Sequence, residues 1–460
     1  MNQTTKPTIE ELANFCKRKG FIYPSAEIYG GLAGFFDYGP LGVELKKNII
    51  AEWWKQIVQK NDNIVGMDGA IISPEAVWQA SGHTENFKDL ILTTEDNSFE
   101  VRADQFLEEK LGKSFEGITA EEVNNIIEKH NLTAPNKKKF KKCSDFNLMF
   151  PVLIGAKNQK AYLRGETTQM IYLNYKFIQK DMRMKIPFGI AQIGKAFRNE
   201  ISPRNFLFRC REFEQLEMQF FIEPKEADKW FKFWQKERLN FFINLGIKKE
   251  NLRTRPHEKS ELAHYAKKAE DIEYNFPFGW KEIEGIHNRG DWDLSTHSKH
   301  SGQKLDYYDE ETKKSFIPNI IETSGGVERA FLTFLYESYS VGEKGNITLK
   351  LHPKLSPIKA AILPLVKKEE SLTKIAKKIY DELKTEFNIN YDETGSVGRR
   401  YARNDEIGTP FCVTIDNESQ KNSDVTIRNR DDAKQTRVKI ENLKETLKKL
   451  ISGKIKFGEI

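Results

Sequence analysis

Side chains able to do chemistry crowd into one stretch, GIAQIGKAFRNEISPRNFLFRCREFEQLEMQFF (189–221). It reads as two strands joined by a loop around Ser202–Pro203–Arg204–Asn205. In the second strand Leu216, Met218 and Phe220 alternate with Gln215, Glu217 and Gln219, so one face belongs to a core and the other is polar. Arg198, Glu200, Arg204, Arg209, Arg211, Glu212 and Glu214 share the hairpin. The planar arginine fork donates two parallel charge-assisted hydrogen bonds to a phosphate. With Phe213 as a stacking surface, such a hairpin can hold a nucleotide by phosphate clamp, base hydrogen bonds and ring contact. Read by itself, the same cluster also fits a surface ion-pair network.

Other familiar chemistries find no support. The run GGLAGFFDYGPLG (30–42) is glycine-rich, but the chain has no GxxxxGK[ST], which excludes a P-loop. Its glycines read as tight turns that let backbone pack closely. The eight histidines are dispersed and build no nucleophilic triad with Ser or Cys. Cys16, Cys143, Cys210 and Cys412 show no metal-ligand spacing and read as reduced thiols of a cytoplasmic protein, with no metal site expected.

The elements that must position the hairpin fall into four segments. Residues 1–95 hold the glycine-rich run and an amphipathic stretch placing Leu45, Ile49, Trp53 and Ile57 on one helical face. Residues 96–160 are poorer in pattern, carry the lysines Lys137, Lys138, Lys139, Lys141 and Lys142, and read as an insertion within one core. Residues 161–350 are dense in strand-like alternation. Residues 351–460 follow two prolines in LKLHPKLSP (349–357) and alternate strands (360–366, 411–416, 424–430) with helices, a closing helix ending at Gly453. That pattern predicts a small α/β domain with a largely parallel sheet. The last segment carries 22 Lys+Arg against 17 Asp+Glu, most of the chain's net charge of +6, which suits a polyanion or a solvated lysine-rich surface alike. With 38% hydrophobic and 30% charged residues the composition is that of an ordinary globular protein. No apolar run approaches the roughly 18 residues of a membrane span, and MNQTTKPTIEELANF lacks the apolar core of a secretory signal.

The hairpin resembles motif 2 of the class II aminoacyl-tRNA synthetases. The helix around Leu45–Gln59 with a strand ending at Pro74 resembles motif 1, which forms the dimer interface. IIETSGGVERAFLTFL (320–335) resembles motif 3. Within that class, GGLAGFFDYGPLG, VWQASGHTENFKD (77–89), LRGETTQMIYLNY (163–175), EGIHNRGDWDLSTH (284–297), GSVGRRYARNDEIGTPF (395–411) and VTIRNRD (425–431) are similar to the homodimeric glycyl-tRNA synthetases. That family often carries paired cysteines before FNLMF. Here Cys143 stands alone, so no zinc site is expected.

The resemblance implies an α/β (α+β) catalytic core, with a mixed, mainly antiparallel six- or seven-stranded sheet flanked by helices, and a C-terminal three-layer α/β anticodon-binding domain. It implies a homodimer that takes glycine, ATP with Mg2+, and tRNA(Gly). Arg198 would meet the α-phosphate and Arg329 the γ-phosphate. Glu200 and Arg209 would seat the adenine, with Phe213 stacked beneath it. Glu166, Glu217, Glu322 and Ser324 would surround the glycine ammonium, and Arg289 would hold its carboxylate. Ser324–Gly325–Gly326 would turn the motif 3 strand into a helix whose N-terminus favours negative charge. Arg399, Arg400, Arg403, Arg428 and Arg430 are the candidates for RNA contact. The alternative is a catalytically inactive, nucleic-acid-binding relative, which would lack these arginines and carboxylates.

Overall fold

Leu45, Ile49, Trp53 and Ile57 are fully buried along the helix Pro40–Trp54 and the π turn Lys55–Gln59 that continues it. Pro40 stands at the first helical position, where its missing N–H costs no bond. The structure is a computed structural model and describes residues 6–460, apart from 114, 116, 260, 264 and 344.

The helix feeds the strand Ile64–Met67 at one edge of a seven-stranded sheet. The order continues Phe188–Phe197, Glu212–Ile222, Asn319–Gly326, Gly279–Gly290, Lys268–Phe276 and Leu252–Pro256. Every neighbouring pair is antiparallel except the first, which is parallel. This is the mixed, mainly antiparallel sheet expected. Leu216, Met218 and Phe220 face a core shared with the helices Pro40–Trp54, Ala227–Asn244 and Val327–Ser338. Arg238, fully buried within that layer, donates to Glu284 Oε2 at 3.1 Å and to Gln56 Oε1 at 2.8 Å.

The polar face of the same strand does not meet solvent. Thr168–Asp181 and Trp292–Ser301 cover it, so Gln215, Glu217 and Gln219 are buried. Directly paired residues point to the same face of a sheet. The register sets Glu217 opposite Ser324, Gln219 opposite Glu322, and Glu322 opposite His287. One face of three strands thus collects acids that lie far apart along the chain.

Between the first two strands of the sheet lies the inserted segment, and its limits differ from the 96–160 expected. Lys88–Thr93 is the centre strand of a three-stranded sheet with Glu100–Arg102 and Ser144–Asn147. Leu92, Phe106, Leu107 and Val123 centre its own core. Residues 150–163 instead form a hairpin paired through Gln159–Leu163 to Ile72–Pro74 of the main body. The missed boundary has a physical cause: KDLILT is too short to show its pairing partner.

The C-terminal sheet has the order Ile389–Tyr391, Ala360–Pro364, Phe411–Ile415, Asp424–Asn429, Gln435–Lys439. Two of its pairings are parallel and two antiparallel, which corrects the largely parallel sheet expected. Only Asn417–Asn422 separates Phe411–Ile415 from Asp424–Asn429, too few residues for a parallel crossover. The closing helix Ile440–Ser452 ends at Gly453, whose φ of 72° is left-handed.

Two glycines of the glycine-rich run act by closeness rather than by turning. A Cβ on Gly39 would stand 2.4 Å from the Gly20 carbonyl oxygen, and one on Gly42 only 1.8 Å from that of Phe21. The start of the long helix is thereby pressed onto backbone. Gly42→Ala should destabilise the catalytic domain by about 3 kcal/mol or more, the upper end for overpacking. Calorimetry should show the catalytic-domain transition lowered and the C-terminal domain transition unmoved.

Candidate active site

Glu217, fully buried, accepts from Ser324 Oγ at 3.0 Å, from Gln219 Nε2 at 2.9 Å and from Thr167 Oγ1 at 3.4 Å. It has no cationic partner among the described residues. Burial, and then repulsion from Glu322 and Glu166, pushes its carboxyl well above the usual carboxylate range. Its acidic neighbours have basic partners. Glu322 lies 2.7 Å from Arg289 Nη1 and 2.9 Å from His287 Nδ1. Burial opposes its charge, but those two cations outweigh burial and hold it at about 2. Glu166 lies 3.3 Å from His83 Nε2 and accepts from Gln169 Nε2 at 2.8 Å. Burial again opposes charge there, and the His83 contact and Arg289 bring the carboxyl below its ordinary range.

Arg289 does not stand open towards a ligand carboxylate, as had been expected. It holds Asp293 through Nε at 2.8 Å and Nη2 at 2.9 Å, and gives Nη1 to Glu322. The Tyr265 ring lies 3.7 Å from its guanidinium carbon. Two buried carboxylates have this arginine as counter-ion, which takes three of its five N–H donors.

Beside this wall opens a cleft of about 150 Å³. Arg198, Glu200, Arg209, Phe213, Ser324 and Arg329 all line it, so the hairpin side chains among them face a cavity rather than open surface. Arg198 sits between two rings, 5.3 Å from Phe87 and 5.4 Å from Phe213, and donates to Gly165 O at 3.2 Å. Arg329, in the first turn of Val327–Ser338, lies over the Phe208 ring at 4.4 Å and donates to Glu282 Oε2 at 2.8 Å. Glu200 and Arg209 are 3.5 Å apart. The strand Asn319–Gly326 runs through the glycines directly into the helix, as the Ser–Gly–Gly sequence implies.

Sequence reasoning missed several members. His83, Gln169, Asp293 and His287 stand in strings already singled out, yet nothing in spacing marks them as partners of Glu166 and Glu322. Glu282 and Glu328 also escaped. Among the C-terminal candidates, Arg399 and Arg403 are exposed and Arg428 is bonded to Asp405 through both amino groups at 2.8 and 2.9 Å. Arg400 and Arg430 are buried. Arg400 donates to Pro364 O at 2.6 Å, and Arg430 ties Gly408 O to Leu351 O at 2.8 Å each. Those two arginines hold the domain together and are corrected from RNA contact to structure.

Two family descriptions match the chain: "tRNA synthetase class II core domain (G, H, P, S and T)" over residues 153–339 and "Anticodon binding domain" over 359–450. The fold is similar to the crystal structure of prolyl-tRNA synthetase from Cryptosporidium parvum complexed with halofuginone and AMPPNP. That likeness has a TM-score of 0.66 at 15% identity and covers 98% of this chain and 79% of that chain. Fold and site therefore define a class II tRNA synthetase core joined to an anticodon-binding domain. Glycine–tRNA ligase of Borreliella burgdorferi (strain ZS7) is 48% identical over 450 residues, 96% of this chain and 97% of the relative. That of Caldanaerobacter subterraneus subsp. tengcongensis is 45% identical over 465 residues, 98% and 99% of the two chains. The chain belongs to the glycine–tRNA ligase family.

Glu328, on the cleft wall, accepts from the Glu214 backbone N–H at 2.9 Å and lies 3.1 Å from the Tyr38 hydroxyl. Burial raises its carboxyl to about 7. A carboxyl raised on folding stabilises the fold below its unfolded value, near 4.5, and that contribution is lost as pH rises through about 7. Above pH 7 the ionised group should cost roughly 3 kcal/mol relative to a neutral one. Glu328→Gln keeps the geometry without the charge. Unfolding temperatures from pH 5 to 8 should show the variant gaining on the parent chain as pH rises.

Proposed function

We propose that this protein activates glycine with ATP, forming glycyl-adenylate and pyrophosphate, and transfers the glycyl group to the 3′-terminal ribose of tRNA(Gly). One observation carries the residue assignment: Glu217, a buried carboxyl without a cation, stands against an arginine-lined cleft. The glycine ammonium supplies the missing positive charge, received by Glu217 with Ser324, while Glu166 stays fixed by its contact with His83 and Glu322 by Arg289 and His287. Arg289 acts by holding Glu322 and Asp293. The glycine carboxylate then points to the cleft, where it attacks the α-phosphorus as the bond to pyrophosphate breaks.

Arg198 is the cation for that step. No carboxylate pairs with it among the described residues, and its ring contacts fix its position. It neutralises the entering carboxylate and the α-phosphate together. Arg329 receives the far phosphates in exchange for Glu282. Glu200 and Arg209 seat the adenine, and Phe213 gives it a face. In the second step the ribose 3′-hydroxyl attacks the glycyl carbonyl and AMP leaves. Selectivity is one-sided, because no proteinogenic amino acid is smaller than glycine and larger ones are refused by steric clash. A catalytically inactive relative would not keep this charge arrangement.

Magnesium enters with ATP. Such an ion is held mainly by phosphates and water, with one or two carboxylates. Glu282, beside the Arg329 that receives the far phosphates, is a cleft carboxylate able to serve, and the ion would neutralise the pyrophosphate as it leaves. Residues from about 351 onward form the anticodon-binding unit, and Arg399 and Arg403 are its exposed candidates for unpaired bases. A homodimer accounts for Ile71, Ile72, Leu153 and Ile154, apolar yet exposed on or beside one three-stranded sheet. The cytoplasm is the proposed compartment, consistent with four unpaired cysteines. No helix among the described residues is long and apolar enough to cross a membrane.

Amino-acid-dependent exchange of pyrophosphate into ATP tests the reading. Glycine alone of the twenty should support exchange, and Arg198→Ala should lower it by about 10²–10³-fold. Exchange with another amino acid would overturn the pocket assignment. Sedimentation should give twice the chain mass, and Ile72→Asp with Leu153→Asp should shift it to the monomer.

A further inference from the structure

The inserted segment 88–147 has its own core, yet its root touches the nucleotide hairpin at three places. Phe87, just before it, places its ring against Arg198. Leu148, just after it, accepts from the Asn199 backbone N–H at 2.8 Å. Between them, the helix Ala103–Leu111 sends Gln105 to the hairpin. Both neighbours of the Gln105 amide are guanidinium donors, so its oxygen faces them. It then accepts from Arg209 Nη1 at 2.9 Å and from Arg102 Nε at 3.3 Å.

Arg102 is itself fixed, 3.0 Å from Asp89 and with Nε 2.9 Å from Asp104 Oδ1. Arg209 has Glu200 on its other side. One neutral oxygen therefore bridges two like-charged groups, one from the insertion and one from the cleft. Gln105 is itself 9% exposed, its backbone set by Ala103, Phe106 and Leu107, which pack into the insertion core. A removed acceptor would leave two guanidinium groups facing each other and a largely buried donor unmet, which is costlier than losing a surface bond.

We infer that the inserted segment takes part in nucleotide binding, with Gln105 a positioning residue that holds Arg209 in the orientation ATP requires. The inference rests on the reading of Arg209 as a nucleotide residue. It gives the insertion a role that its lysine-rich surface does not suggest. Its signature is selective: affinity for ATP depends on Gln105, and affinity for glycine, bound on the far side of Arg198, does not.

The test compares Gln105→Leu, Gln105→Glu and Arg209→Ala by KM for ATP and for glycine in pyrophosphate exchange. Gln105→Leu should raise KM for ATP roughly ten-fold, the order expected when a charged group loses one hydrogen bond, with KM for glycine unmoved. Gln105→Glu keeps an acceptor towards both guanidinium groups and should retain most of the ATP affinity. An unchanged KM for ATP in Gln105→Leu, with Arg209→Ala raising it, would overturn the inference and leave the nucleotide site standing. A loss spread equally over ATP and glycine, and not rescued by Gln105→Glu, would mean a structural role and would overturn it too. If Arg209→Ala itself leaves KM for ATP unchanged, the adenine assignment falls and the inference with it.

Discussion

Four carboxyl groups, Glu166, Glu217, Glu322 and Asp293, cluster at the polar face of the catalytic sheet, and among the described residues Arg289 is the one arginine that pairs with any of them. Arg289 serves Asp293 and Glu322, His287 assists Glu322, and His83 meets Glu166. Glu217 is left with hydroxyl and amide donors only. An unpaired charge in such a place is costly, and burial with repulsion from Glu322 and Glu166 pushes the Glu217 carboxyl well above the usual carboxylate range. The empty wall therefore leaves Glu217 short of a cation, and, as proposed, an ammonium group of the right size completes it. For an amino acid without a side chain, that deficit is the main handle available.

Much of the fold serves to hold this deficit open. The two helices over the polar face exclude water, which would otherwise weaken every interaction in the wall. The antiparallel register aligns Glu217, Ser324, Gln219, Glu322 and His287 across three strands, so no loop has to carry them. Rigid strands hold geometry better than loops do. Glutamines do quieter work: Gln219 bridges Glu217 and Glu322, and Gln169 links Glu166 with Asp293. The arginine-lined cleft opens beside this wall, as the proposed placement of the amino-acid carboxylate next to the nucleotide requires.

Legibility in the sequence divided along physical lines. Alternation in 212–222 and four-residue spacing in 45–57 are local periodicities, and they predicted the central strand and the long helix. Five of the residues that line the cleft were singled out in the sequence, Arg198, Glu200, Arg209 and Phe213 on one hairpin and Arg329 in the motif 3 string, and their nucleotide roles came from resemblance. Arg289 was assigned by resemblance, and its pairing with Asp293 and Glu322 depends on strand register that spacing does not reveal. Arg400 and Arg430 looked like RNA contacts because a one-dimensional pattern carries no burial. The half-antiparallel C-terminal sheet was misjudged because the short helix 417–422 resembles a crossover until its length is compared with what a crossover needs.

Proton linkage on glycine binding addresses the charge deficit most directly. Calorimetric titration with glycine at neutral pH, repeated in buffers of different ionisation enthalpy, counts the protons exchanged per site. If Glu217 is protonated in the empty wall and ionised by the incoming ammonium, binding releases close to one proton, and Glu217→Gln abolishes the release along with most of the affinity. Binding without proton release in the parent chain would contradict the account, because Glu217 would then already carry its charge unaided.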